Sequence, residues 1–146
     1  METTLSGIAL IISGFSFIFS FYTFFWAVKR DRKQATLDAY NTLQNEAFDK
    51  LNLMMPSDIR EIANDSRSKE YKEISGYIAR IEHFCVGVNL GIYDKETVYE
   101  LAHGYLDSQT IVDRINPIIG KKNQKKDYDY YGNIHKVLDW MKKKSR

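Results

Sequence analysis

The residues best spaced for chemistry are Glu100 and His103 in the stretch ELAH. Three apart on a helix, they share a face, as the Glu-x-x-His pairs of di-iron bundles do. Such a centre needs two of these pairs and two further Glu. His83 and His135 have no Glu three residues before them, and Glu82 points in a different direction from its neighbour His83. The pair therefore reads as polar surface, and no metal or other cofactor is expected. Cys85 is the only cysteine, which excludes an intramolecular disulfide. Beside a distant His it would be a candidate nucleophile. It falls instead on the apolar stripe of a core helix, where a thiol is inert. Arg80 and Glu82 flank that stripe and read as an interhelical ion pair; a polar ligand or partner site is the alternative. A Gly-rich phosphate loop, a nucleophile elbow and zinc-ligand spacing are all missing from the sequence. No catalytic residue is assigned.

Charge is the next chemistry to consider. The 146 residues carry a formal net charge of +2, too little to suggest nucleic acid by itself. The cations are clustered, however: Lys29, Arg30, Arg32 and Lys33; then Lys121 to Lys126; then Lys142 to Arg146. The first cluster directly follows an apolar run and suits anionic headgroups, at roughly 1 kcal/mol per charge. The other two read as solvated surface. Folding back onto the membrane or binding an acidic protein are their alternatives, and nucleic acid is disfavoured for lack of interleaved aromatics.

These residues have to be positioned by helices. Pro occurs only at 56 and 117, and Leu, Ile, Lys and Glu are abundant. From Thr3 to Val28 the only ionisable side chain is Tyr22, and six of the eight Phe lie between Phe15 and Phe25. As a helix this run is roughly 39 Å long, more than the ~30 Å hydrocarbon core. It lacks the basic start of a signal peptide, so a retained transmembrane helix is expected. Its FSFIFSF alternation cannot be a lone spanning strand, whose backbone groups would lack partners in lipid. The cations after the run predict that the N-terminus is outside and the remainder cytoplasmic. Tyr22 and Trp26 would lie at the interface. Ser6, Ala9, Ser13, Ser16, Ser20, Thr23 and Ala27 step by threes and fours in one narrow stripe. Small residues let helices approach closely in lipid, so the stripe is expected to be a self-interface. The bland alternative is hydroxyls bonded to the preceding turn.

The helical rhythm continues through Leu37, Tyr40, Leu43, Ala47, Leu51 and Met54, with no breaker before Pro56. A short helix is expected at Asp58 to Ala63, capped by Ser57, and then a turn in NDSRS. The central core helix should carry Tyr71, Ile74, Ile78, Ile81, Cys85, Val88 and Ile92, ending at Gly91. Asp94 should cap a helix through Tyr105. Pro117 should bend or end the helix holding Ile111 and Ile115, with a basic loop at Gly120 to Asp127. Tyr130 to Met141 should form the last helix. The expected fold is all-α: a transmembrane helix (1–28), continuous with a juxtamembrane helix (29–56), then a cytoplasmic helical domain (57–146) giving a four- to five-helix bundle.

The segment RIEHFCVGVNLGIYDKETV, Arg80 to Val98, following a basic-flanked single span, resembles a bacterial family catalogued as a domain of unknown function. The resemblance covers roughly Gln34 to Ile119. It implies an all-α fold and the bacterial inner membrane, and no reaction. The leading expectation for function is a membrane-tethered interaction or sensing module, homo-oligomeric, with a cytoplasmic protein partner. An oligomeric membrane-disrupting defence effector is the alternative, and an enzyme is the least supported.

Overall fold

The computed structural model describes residues 2–106, 109–123 and 131–145, with side chains for all of these except 2–6, 8, 9, 109, 110 and 121–123. It is all-α. Helix α1, Glu2–Leu43, passes without interruption from the apolar run into the polar half of the chain. A π-helical turn, Gln44–Phe48, and a short α2, Asp49–Asn52, extend it. A π turn holds one residue more than an α turn. The sequence stripe did not foretell it. It places the adjacent Ala47 and Phe48 both wholly inside the core.

Pro56 then opens α3, Pro56–Ile62, with Met55 extended before it. Ser57 therefore does not cap this helix. Proline supplies a preset φ and needs no hydrogen-bond acceptor at the first helical position, and Ser57 bonds to the neighbouring Asp58 carboxylate instead. Helix α4, Lys69–Asn89, starts at Ser68, whose hydroxyl accepts from Tyr71 N–H. It ends in a Schellman turn. Gly91 takes φ +73°, its N–H reaches Val88 O, and the Ile92 N–H reaches Gly87 O at 2.9 Å. Ile92, expected on the core stripe, lies beyond this turn and is 58% exposed.

Helix α5, Lys95–Leu106, is capped by Asp94, which accepts from the Thr97 N–H and hydroxyl. Helix α6, Gln109–Asn123, runs through Pro117 rather than ending there. Ile111, Ile115, Ile118 and Ile119 are buried on both sides of the proline, and that packing outweighs one lost backbone bond. Gly120 to Asn123 are thus helical, not loop; the remainder of the expected basic loop lies outside the described residues. Helix α7 is Gly132–Lys144.

Helices α4 and α5 pack along the far end of α1, α6 packs on its α2 extension, α3 packs on α6, and α7 packs on α4 and α5. Interhelical contacts give the directions. Arg80 on α4 meets Glu46, Phe84 meets Tyr40, and Asp94 meets Thr36, so α4 runs antiparallel to α1. Tyr105 meets Phe48, so α5 runs back alongside α1. A single core takes Phe48, Leu51, Ile59, Ile74, Ile78, Ile81, Leu106, Ile115, Ile134 and Met141 from all these elements. Segments 29–56 and 57–146 share it.

Candidate functional site

The joint between α1 and the bundle is built around Thr36, which is fully buried. Its hydroxyl donates to Arg32 O one turn back, at 2.7 Å, and accepts from the Asp94 N–H at 2.8 Å. A hydroxyl with both roles filled is at home in a core. Thr36 lies four residues before Tyr40 in the same stripe, and that spacing is the signal available in the sequence.

One turn toward the N-terminus, Trp26, Lys29, Arg30 and Lys33 form a collar on one face of α1 and enclose a shallow hollow of about 320 Å³. The Arg30 guanidinium lies 5.6 Å from the Trp26 ring centre, within cation–π range. Arg30 also meets Asp31 at 3.3 Å in a solvent-exposed pair, worth little by itself. Arg32 is exposed on another part of the helix surface. The Asp94 carboxyl is held below its usual range, first by the Thr97 N–H and also by the nearby Lys33 and Lys29 charges. The collar and the first turn of α5 therefore share one electrostatic neighbourhood.

On the other side of the collar the helix is bare. The apolar window within Leu10–Asn52 is buried nowhere, and it is long and apolar enough to cross a membrane. Phe15, Phe17, Phe19, Phe24 and Tyr22 stand 62% exposed or more. Of the small-residue stripe, Ser13, Ser16, Ser20 and Thr23 are exposed and Ala27 is half-buried. The Ser6 and Ala9 side chains lie outside the described residues. Ser20 Oγ donates to Ser16 O at 2.8 Å, and Thr23 Oγ1 lies 3.0 Å from both Phe19 O and Ser20 O. These hydroxyl protons are satisfied within the helix, leaving oxygen lone pairs as the polar feature of that face.

The residues with catalytic overtones are placed elsewhere. Cys85 is fully buried, and burial, with Glu82 second, pushes its thiol up. His103 turns back to Tyr99 O at 2.8 Å and stacks on the Tyr99 ring. Arg80 pairs with Glu46 at 3.1 Å across the mouth of a 290 Å³ cleft between α1 and α4, with His83 on its rim. Glu82 is not the partner of Arg80. It accepts from the N–H groups of Asn133 and Ile134, at 3.2 and 3.0 Å, and from the Asn133 amide at 2.7 Å. It thus caps the start of α7 from another helix, which no local spacing announces. Among the described residues no three His, Cys, Asp or Glu converge in a way that would hold a metal ion.

The profile of a family described as Domain of unknown function (DUF4760) matches residues 10–140. Neither the curated proteins nor the solved structures contain a match to the chain.

Proposed function

The chain belongs to the DUF4760 family, and we propose that it serves as a membrane-tethered helical interaction module that self-associates through α1. One observation carries this reading. A single helix has its apolar window uncovered, and its far end enters a folded core through Thr36, Tyr40 and Leu43. Such a bare apolar run is untenable in water, whereas lipid solvates it and needs no partner for its internally bonded backbone. On this reading α1 spans the bacterial inner membrane with its N-terminus outside, since Lys29, Arg30, Arg32 and Lys33 favour the cytoplasmic side. Trp26 and Tyr22 lie at the headgroup level, and the collar attracts anionic lipid. The bundle, rigidly continuous with the anchor, is presented to a cytoplasmic partner.

The small-residue stripe supports pairing because Ser, Thr and Ala permit close backbone approach in lipid. Cysteines introduced singly at positions 11 to 25, in a Cys85→Ala background, test this in native membranes. Oxidative crosslinks should peak at 13, 16, 20 and 23 and fall at 15, 17 and 21. Uniform or absent crosslinking with normal expression would remove self-association. Extraction of the protein by alkaline carbonate would remove the spanning helix itself.

A further inference from the structure

Among the described residues, the α4–α5 turn, residues 90–94, lies at the end of the bundle that meets α1 next to the collar. Helix α4 descends along α1 from Glu46 to Tyr40, and the Asp94 N–H closes the descent on Thr36. Thr36 is eight residues beyond Val28, or about 12 Å along the helix. Asp94 is near enough to Lys29 and Lys33 to feel their charges. At this tip stand two large apolar side chains in the open, Leu90 at 71% and Ile92 at 58% exposure. A Schellman turn ordinarily shelters the residue after its glycine against the one five positions back. Here that position is Gly87, and the space above it is filled by the Tyr93 ring, so Ile92 is left outside.

Positive charge gathers at the same end. The last turn of α7 carries Lys142, Lys143 and Lys144. Lys144 pairs with Glu96 and lies 4.4 Å from the Tyr99 ring centre, fixing that turn against the start of α5. Lys95 lies 5.9 Å from the Trp140 ring centre. Exposed leucine and isoleucine at an end of the bundle that also carries Lys95 and the last-turn lysines of α7 match the interfacial layer of an anionic leaflet, apolar below and negative above.

We propose that the α4–α5 turn is a second membrane contact: Leu90 and Ile92 insert at the anionic lipid interface from which α1 emerges, with Lys95, Lys142 and Lys143 on its headgroups. This rests on α1 spanning the membrane. It makes the bundle lie against the bilayer rather than hang from a free stalk.

The full chain, Cys85→Ala, reconstituted in vesicles of phosphatidylcholine and phosphatidylglycerol, carries one nitroxide at a time through Ile92→Cys, Ile18→Cys or Leu53→Cys. Leu53 is 84% exposed and stands at the end of α2, roughly 25 Å of helical rise beyond Thr36, so it reports the distal end. The expected result is relaxation by oxygen in lipid at 18 and 92, and by a water-soluble nickel chelate at 53. Lipid contact at 92 should fall several-fold in pure phosphatidylcholine and with Lys142→Glu/Lys143→Glu. If 18 is in lipid while 92 is as water-accessible as 53, the contact is overturned and the anchor stands. If 18 is also in water, the spanning reading is what failed. Shielding of 92 from both agents, with spin–spin broadening, would put a second copy there and overturn the lipid assignment. Equal contact on pure phosphatidylcholine would overturn the role of the anionic headgroups.

Discussion

At the scale of single residues, the polar groups that matter here are joints. Thr36, Glu82 and Asp94 each satisfy backbone N–H groups of another element or of a helix start. Asp94 allows a test of sign. Its folded pKa is lowered, so it adds stability that is present above the unfolded value of about 3.9 and lost as pH falls through the folded value. Asp94→Asn keeps the capping oxygen and removes the charge. The variant should melt lower than the parent at neutral pH, by up to about 1 kcal/mol, and the gap should close as the parent is acidified past its own carboxyl. Circular-dichroism melts of the detergent-solubilised chain across pH measure this, and a gap constant with pH would contradict it. The Arg80–Glu46 pair, half exposed on both sides, carries no comparable expectation, because solvent screens it.

At the scale of elements, α4 holds two glycines with opposite demands. A methyl on Gly87 would stand 2.7 Å from Cδ2 of Tyr93 and nearer still to Cε2. That ring is stacked on Phe84 with centres 5.1 Å apart, so it has nowhere cheap to go. Gly76 on the same helix meets nothing within 4 Å. Gly87→Ala should destabilise by about 1–3 kcal/mol, and Gly76→Ala should stabilise by about 0.5–1 kcal/mol. Urea titration of the two variants checks the pair, and shifts of the same sign would show that the turn is not held by the Tyr93 contact. The π turn at Gln44–Phe48 acts at the same scale. Leu43 before it, Ala47 and Phe48 within it and Leu51 after it are all buried.

At the scale of the whole molecule, the core does not divide at Pro56. Tyr40, Leu43, Ala47, Phe48 and Leu51 belong to the same core as α3 to α7. A chain beginning at Lys29 should therefore be soluble and helical, with one cooperative melt. A chain beginning at Leu53 should not fold. Losing Phe48 and Leu51 alone removes contacts worth about 3–5 and 2–5 kcal/mol, against a total stability of about 5–15 kcal/mol. Circular dichroism and sedimentation of the two truncations decide this. A folded chain starting at Leu53 would mean that the end of α1 is a linker, and the rigid mounting of the bundle on its anchor would be lost with it.

The sequence by itself determined whatever depends on period and composition. The uncharged run, the cations after it, the 3–4 spacing of Tyr71 to Val88, the turn in NDSRS, the Asp94 cap and the stop at Gly91 are local, and each came through. Local reasoning failed where a neighbour's packing outweighed a local preference. Pro117 does not end its helix, one of the two outcomes expected there, because isoleucines on both sides of it are buried. Ile92 left the core because a Schellman turn intervened and Tyr93 took the space above Gly87. Only the tertiary structure decided that Glu82 caps a helix about fifty residues away, that Thr36 joins two elements, and that the turn bearing the exposed Leu90 and Ile92 ends at that Thr36 joint. Those facts depend on which helices meet, and burial and hydrogen-bond satisfaction over long separations set that; no spacing along one segment encodes it.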